Sequence, residues 1–131
     1  MSDVKVLIIE DDPVFKDYVK KILVNNGFEV LEATDGAEGL RIFREERPRI
    51  LIVDIHLPDI DGLELIKRLR GASEEQERRI IIFASSADEA ADLKVDSIAY
   101  GADEYILKPV SEGRLLLNIR NFQLLLESDP E

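Results

Sequence analysis

The sequence of 131 residues contains no cysteine. Disulfide bonds and thiolate metal sites are therefore excluded, and this absence suits a cytoplasmic protein. No apolar run approaches the length of a membrane span, and the first residues lack the hydrophobic core of a signal peptide. We therefore expect a cytoplasmic protein that has no membrane partner.

No proline-, serine- or glycine-rich stretch divides the chain, and no internal repeat is visible. The length is that of one domain, and 45% hydrophobic with 34% charged residues is typical of a globular protein. We expect residues 1–127 to form this domain. Residues 128–131 would be a C-terminal tail, or the start of a linker if an output domain follows.

Basic residues are scarce relative to acidic ones, and the formal net charge is −11. Such a surface repels a phosphate backbone, so direct nucleic-acid binding is not expected. Two interpretations of the acidity stay open. It attracts basic partners or hard cations, or it only keeps the protein in solution.

Short apolar runs alternate with amphipathic stretches along the chain. Residues 4–9, 50–53 and 80–84 are rich in β-branched side chains, as are strands buried on both faces of a parallel sheet. The weaker runs 28–33 and 104–107 suit edge or near-edge strands. The sequence therefore predicts five strands.

Helical periodicity follows each predicted strand. The helices are expected from the N-cap Asp12 to Gly27, over Ala37–Glu46, around Leu63, Ile66 and Leu69, from about Asp88 to Tyr100, and over Ser111–Glu127. Five successive β–α units predict a parallel sheet with helices on both faces, because right-handed crossovers permit little else.

Polar residues follow the predicted strands at their carboxyl ends, which is where ligands bind in this class of sheet. In strand order they are Glu10-Asp11-Asp12, Asp54, Ser85-Ser86 and Lys108-Pro109. Carboxylates gathered in one pocket repel each other unless a cation intervenes. Oxygen ligands without cysteine favour Mg²⁺ or Mn²⁺ over zinc.

The same strand ends offer the other parts of a phosphoryl-transfer site. Lys108 supplies a compact positive charge for a phosphate oxygen, and a serine hydroxyl supplies a hydrogen-bond donor. A free carboxylate can act as the nucleophile, while the remaining groups position it and neutralise charge. The residue types therefore predict a phosphoryl-transfer site with a carboxylate as the nucleophile.

Four segments in this order resemble the receiver (chemotaxis-regulator-like) family of two-component signalling, over essentially the whole chain. They are residues 7–12, the acceptor signature DIHLPDIDG at 54–62, the serine pair at 85–86, and GADEYILKP at 101–109. The resemblance implies an α/β fold, a flavodoxin-like doubly wound (βα)5 sandwich. Its five-stranded parallel sheet would have the order 2-1-3-4-5.

The resemblance also implies a role for each residue of the acidic cluster. Asp54 would accept the phosphoryl group from a sensor histidine kinase or a histidine phosphotransfer domain. Asp11 and Asp54 would bind Mg²⁺ (or Mn²⁺) through their side chains. His56 would contribute its backbone carbonyl, and Glu10 would act through a bound water.

Further roles implied by the resemblance lie on the last two strands. Lys108 would pair with the phosphoryl group, before a cis peptide bond to Pro109. Tyr105 would turn inward when the switch hydroxyl is pulled to the phosphate. That hydroxyl has two candidates, since motif spacing selects Ser86 whereas strand register favours Ser85. We expect Ser85, with one extra residue in the following loop or helix.

The last predicted helix contains more leucines than one core-facing stripe requires. This surplus predicts a homodimer contact through helix 4, strand 5 and helix 5, or a connection to a downstream domain. Phosphorylation is expected to change this surface.

Two other classes of protein compete with this hypothesis. A hydrolase with an aspartyl-phosphate intermediate is the main alternative. Haloacid-dehalogenase-type enzymes carry a second aspartate two residues after the nucleophile, where this chain has His56. A flavodoxin-like electron carrier is disfavoured, because Glu10-Asp11-Asp12 would repel a flavin phosphate. We therefore expect a switch that phosphorylates and dephosphorylates itself but is not otherwise an enzyme.

Overall fold

The computed structural model describes residues 4–127. Its strands are β1 (Lys5–Ile9), β2 (Glu29–Ala33), β3 (Ile50–Asp54), β4 (Ile81–Ser86) and β5 (Glu104–Leu107). Its helices are α1 (Pro13–Asn25), α2 (Gly36–Glu46), α3 (Gly62–Glu75), α4 (Ala91–Tyr100) and α5 (Glu112–Glu127). Each strand is followed by a helix, which confirms the predicted β–α units. The proposed tail at 128–131 lies outside the described residues.

The strands form one parallel sheet in the order β2-β1-β3-β4-β5. The predicted fold class is therefore confirmed, with the weak strands β2 and β5 at the two edges. One core cluster contains side chains of α1 and α5, and the other contains side chains of α2 and α3. Because helices cover both faces, β3 in the centre of the sheet is buried along its whole length.

Alternation along the strands determines which residues reach the face toward α1 and α5. In β1, β3, β4 and β5, the apolar residues on that face include Val6, Ile8, Ile50, Ile52, Ile81, Phe83 and Ile106. Each of these strands then has a polar residue two positions after the last apolar residue on this face: Glu10, Asp54, Ser85 and Lys108. Since side chains of a strand alternate with a period of two, these polar groups extend one face of the sheet.

Helix α4 begins later than predicted. The expected start near Asp88 is wrong, since α4 begins at Ala91. The Asp88 amide donates to Ser86 Oγ (3.0 Å), and the Ala90 amide donates to Asp88 Oδ1 (2.9 Å). Short polar side chains that bind nearby amides compete with helix formation, so this segment forms a loop.

The start of α1 agrees with its sequence pattern. Asp12 is the N-cap, and its carboxylate accepts a hydrogen bond of 3.0 Å from the Val14 amide. Gly27, just beyond the helix, has a φ of 88°, which glycine adopts without strain.

Among residues 4–127, none of the helices combines the length and the apolar character that a membrane crossing requires.

Gly62 begins α3 where the chain folds back against the end of β3. A Cβ atom at this position would lie 2.4 Å from the Ile55 Cα and 2.5 Å from the Asp54 carbonyl oxygen. Both are backbone atoms, which cannot move aside as a flexible side chain can. Glycine is therefore required here by the close approach of two main-chain segments.

Replacing Gly62 by alanine is expected to lower the free energy of unfolding by about 2 kcal/mol or more, because the backbone must shift to admit the methyl group. The measurement is urea denaturation followed by circular dichroism. The control is Gly71→Ala in the same helix, where a Cβ atom meets nothing within 4 Å. This control should raise stability by about 0.5–1 kcal/mol. Equal effects of the two substitutions would contradict the close-approach argument.

Candidate functional site

Asp54 lies at the carboxyl end of β3, between β1 and β4. Its side chain is buried, with the residue only 5% exposed. The Asp54 carboxylate accepts a hydrogen bond of 3.1 Å from the His56 amide. Asp54 is therefore held at the rim of the sheet by the first turn of the β3–α3 loop.

Three carboxylates meet at this rim. Oxygen atoms of Glu10, Asp11 and Asp54 all lie within 4.8 Å of one another. Glu10 and Asp54 are buried, whereas Asp11 is exposed, so the cluster is open to solvent on one side. Such a set of hard oxygen donors fits Mg²⁺ or Mn²⁺, with water completing the coordination.

Lys108 provides the positive charge of the site. Its ammonium group donates a hydrogen bond to Glu10 Oε1 and lies 3.7 Å from Asp54 Oδ1. The same ammonium lies 4.5 Å from the ring centroid of Phe15, within the range of a cation–π interaction. The Lys108–Pro109 peptide bond is cis, as the resemblance implied.

Burial raises the pKa of Glu10 from 4.5 to about 7, because desolvation disfavours the carboxylate. The hydrogen bond from Lys108 opposes this shift, and the neighbouring Asp54 carboxylate adds to it. The Asp12 amide also donates to Glu10 Oε2, at 3.1 Å, and favours the charged form. The charged form of Glu10 is therefore disfavoured in the absence of a cation, and a divalent cation beside it would stabilise that form.

The two serines of β4 have different environments. Ser85 pairs in register with Asp54 and is 1% exposed, and its hydroxyl has no hydrogen-bond partner within residues 4–127. Ser86 instead accepts a hydrogen bond from the Asp88 amide. A buried hydroxyl without a partner is unusual, and Ser85 places one beside Asp54.

Tyr105 lies on the other face of the sheet, where it packs against the core cluster that includes Ala84. Its hydroxyl donates a hydrogen bond to the carbonyl oxygen of Asp88 in the β4–α4 loop. Ser86 holds the amide of the same residue. Tyr105 and the end of β4 are therefore connected through Asp88.

The structure brings together Glu10, Asp11, Asp54 and Lys108, and it places Ser85 beside them. The His56 side chain is exposed, and its backbone participates through the amide bond to Asp54. The sequence motifs do not identify Phe15 as a residue of the site. Its position in the first turn of α1 was the available signal, but no spacing rule connects it with Lys108.

A family model described as the response regulator receiver domain matches residues 6–120. The chain belongs to this family. Receiver domains are signalling switches that take a phosphoryl group from histidine kinases or phosphotransfer domains, and they generally bind Mg²⁺ at an acidic site. Nothing in the comparisons supports the hydrolase alternative.

Known regulatory proteins resemble this receiver domain over almost its whole length. Transcriptional regulatory protein TrcR of Mycobacterium tuberculosis is 35% identical over 119 residues, which are 91% of this chain and 45% of that protein. Aerobic respiration control protein ArcA of Escherichia coli is 37% identical over 121 residues, which are 92% of this chain and 49% of that protein. The chain thus spans about half the length of these two relatives.

A solved structure of a CheY-like response regulator receiver domain protein from Methanospirillum hungatei matches with a TM-score of 0.88 at 31% identity. The match covers 96% of this chain and 98% of that one. The receiver fold is therefore shared over almost the whole of both chains.

The raised pKa of Glu10 predicts a pH dependence of the metal-free protein. The folded protein keeps this proton between pH 4.5 and about 7, where the unfolded chain has lost it. The free energy of unfolding should therefore fall as the pH rises through this range, and then level off. Urea denaturation in EDTA at a series of pH values measures the effect. Glu10→Gln, which cannot titrate, should lack this decline, and an identical decline in both proteins would refute the explanation.

Proposed function

We propose that the chain is a phosphoacceptor switch in which Asp54 receives the phosphoryl group. The observation that carries this proposal is the buried Asp54 carboxylate, clustered with Glu10 and Asp11 and 3.7 Å from the Lys108 ammonium. An Asp54 oxygen attacks the phosphorus of phosphohistidine, and the bond from phosphorus to nitrogen breaks as the new bond to oxygen forms. The histidine leaves with its electron pair and takes up a proton.

Lys108 would neutralise the charge that this transfer brings to the site. Its ammonium already lies beside both Glu10 and Asp54, so it can contact a phosphoryl oxygen without a large movement. The ring of Phe15 beneath it limits where the ammonium can go. Charge neutralisation and positioning are the main contributions that a protein makes to phosphoryl transfer.

The metal in this proposal is Mg²⁺, with Mn²⁺ as a substitute. Asp11 and Asp54 would bind it through side-chain oxygens, His56 through its backbone carbonyl, and Glu10 through a water. When bound, the cation supplies positive charge for the carboxylates and the phosphoryl oxygens. We propose no turnover of other substrates, so the chemistry is self-phosphorylation and autodephosphorylation.

Ser85 and Tyr105 would couple phosphorylation of Asp54 to the surface formed by α4, β5 and α5. The unpartnered Ser85 hydroxyl can donate to a phosphoryl oxygen on Asp54. Tyr105 is bound to the β4–α4 loop through Asp88, so movement of the end of β4 alters the position available to its ring. A hydrogen bond formed at Asp54 can change a distant surface only by favouring one of two arrangements of the chain. The proposed two-state element is the β4–α4 loop together with Tyr105.

The surface that would change is formed by α4, β5 and α5. It exposes large apolar side chains on each element, including Val95, Ile98, Tyr100, Leu107 and Leu117. We propose that it forms a homodimer contact or a contact with a downstream domain. The phosphodonor would be a sensor histidine kinase or a histidine phosphotransfer domain in the cytoplasm. Direct nucleic-acid binding by this domain is not proposed, because its net charge is −11.

Incubation with Mg²⁺ and acetyl phosphate should add one phosphoryl group to the chain, observed as an increase in intact mass. Asp54→Asn should abolish the addition, because an amide is a poor nucleophile and a poor metal ligand. Asp96→Asn, a change at an exposed residue of α4, is the control and should be labelled as the wild type is. Labelling of Asp54→Asn at the normal rate would show that the acceptor lies elsewhere.

The two serines should differ in their response to beryllofluoride, which mimics a phosphoryl group on Asp54. In the wild type we expect a change in the Tyr105 backbone amide resonance or in self-association measured by sedimentation. Ser85→Ala should keep labelling by acetyl phosphate but weaken this response, because the donor beside Asp54 is lost. Ser86→Ala should change it little, because the Ser86 hydroxyl only accepts from the Asp88 amide and is not the donor beside Asp54. The reverse result would make Ser86 the switch hydroxyl, and no effect from either would disprove the coupling.

A further inference from the structure

The amino-terminal end of α2 is bound by two aspartates from different parts of the chain. Asp35, the N-cap of this helix, accepts a hydrogen bond of 2.9 Å from the Glu38 amide. Asp59 reaches the same helix from the β3–α3 loop. Its Oδ1 accepts from the Gly36 amide at 2.9 Å, and its Oδ2 accepts from the Ala37 amide at 3.0 Å.

The Asp59 contact has the features of a specific attachment. The first amides of a helix lack partners within the helix and lie at the positive end of its dipole, so a carboxylate there is favoured. The hydrogen bond from Gly36 is the largest cause that holds the pKa of Asp59 below its usual range. The approach is close, because a Cβ atom at Gly36 would lie 2.2 Å from Ile60 Cγ2.

The loop that contains Asp59 is also the loop that follows the acceptor. Its base is closed by a hydrogen bond of 2.9 Å from the Gly62 amide to the Ile55 carbonyl, and by a bridge between His56 and Asp61. Ile60 packs against the core. Asp59 lies near the tip, so its two hydrogen bonds connect the tip to α2 while the base is connected to β3 and α3.

We propose that Asp59 is a positioning residue for the metal site, which fastens the tip of the β3–α3 loop to α2 and thereby fixes the backbone carbonyl of His56. This inference rests on the proposed function, in which that carbonyl is a metal ligand. A backbone ligand has no side-chain freedom, so its direction depends on how its loop is held. Groups that hold a ligand in place affect metal affinity although they do not touch the metal.

The pair Asp59 and Asp35 allows a matched test, because each caps α2 but only Asp59 connects the helix to the loop. Asp59→Ala and Asp35→Ala are compared in the full chain, with Mg²⁺ binding measured by titration calorimetry. Asp59→Ala should weaken Mg²⁺ binding by about threefold to tenfold, and Asp35→Ala by less than about twofold. Both should lower the melting temperature by similar amounts, since each removes a cap.

The rate of labelling by acetyl phosphate provides a second measurement. For Asp59→Ala the Mg²⁺ concentration that gives half of the maximal rate should increase, while the rate at saturating Mg²⁺ should stay within about twofold of the wild type. A merely structural role would not separate these two quantities. Asp59→Asn, which keeps one acceptor oxygen, should give an intermediate loss of affinity and serves if the alanine variant does not fold.

Three results would overturn the proposal. Equal effects of Asp59→Ala and Asp35→Ala on Mg²⁺ affinity would reduce Asp59 to a helix cap. Normal Mg²⁺ affinity in Asp59→Ala and Asp59→Asn would remove its role while leaving the phosphoacceptor function intact, provided that the wild type is labelled and Asp54→Asn is not. A wild type that neither binds Mg²⁺ nor is labelled would overturn the proposed function and this inference together.

Discussion

The rest of the site depends on the contact of the Lys108 ammonium with the buried carboxylates of Glu10 and Asp54. Glu10 and Asp54 are both buried and lie close together, and the Lys108 ammonium contacts both. Burial and repulsion leave Glu10 with a raised pKa, so the cluster is unfavourable on its own. In the proposed function a divalent cation would stabilise the charged carboxylates, and the Lys108 ammonium would be available to a phosphoryl oxygen.

The sheet makes this arrangement possible because it places residues from separate strands side by side. Glu10, Asp54, Ser85 and Lys108 each follow the apolar side chains of one face of the sheet, in four adjacent strands. The carboxyl ends of parallel strands meet at one edge, so the core residues behind them determine the direction of the polar residues. The apolar packing of β1, β3, β4 and β5 therefore serves both stability and the geometry of the site.

Loops complete the site, and side-chain hydrogen bonds to backbone amides determine their shapes. Asp59 attaches the β3–α3 loop to α2, while Ser86 and Asp88 shape the β4–α4 loop and delay the start of α4. The first loop stays near the proposed metal ligands, and the second is held by Tyr105. In the proposed function the first loop would hold the metal ligands in place, and the second would change its arrangement on phosphorylation.

The sequence by itself determined the five β–α units, the parallel sheet and the polar strand ends, because hydrophobic periodicity and turn residues are local properties. The resemblance carried by its motifs added the strand order and the cis bond before Pro109. Only the tertiary structure decided that Phe15 supports Lys108, that Ser85 lacks a partner and that Asp59 caps a helix distant in sequence. These contacts join segments far apart in the chain, which local sequence patterns do not reveal. The predicted start of α4 was wrong because hydrogen bonds from backbone amides to the Ser86 and Asp88 side chains outweighed helical periodicity.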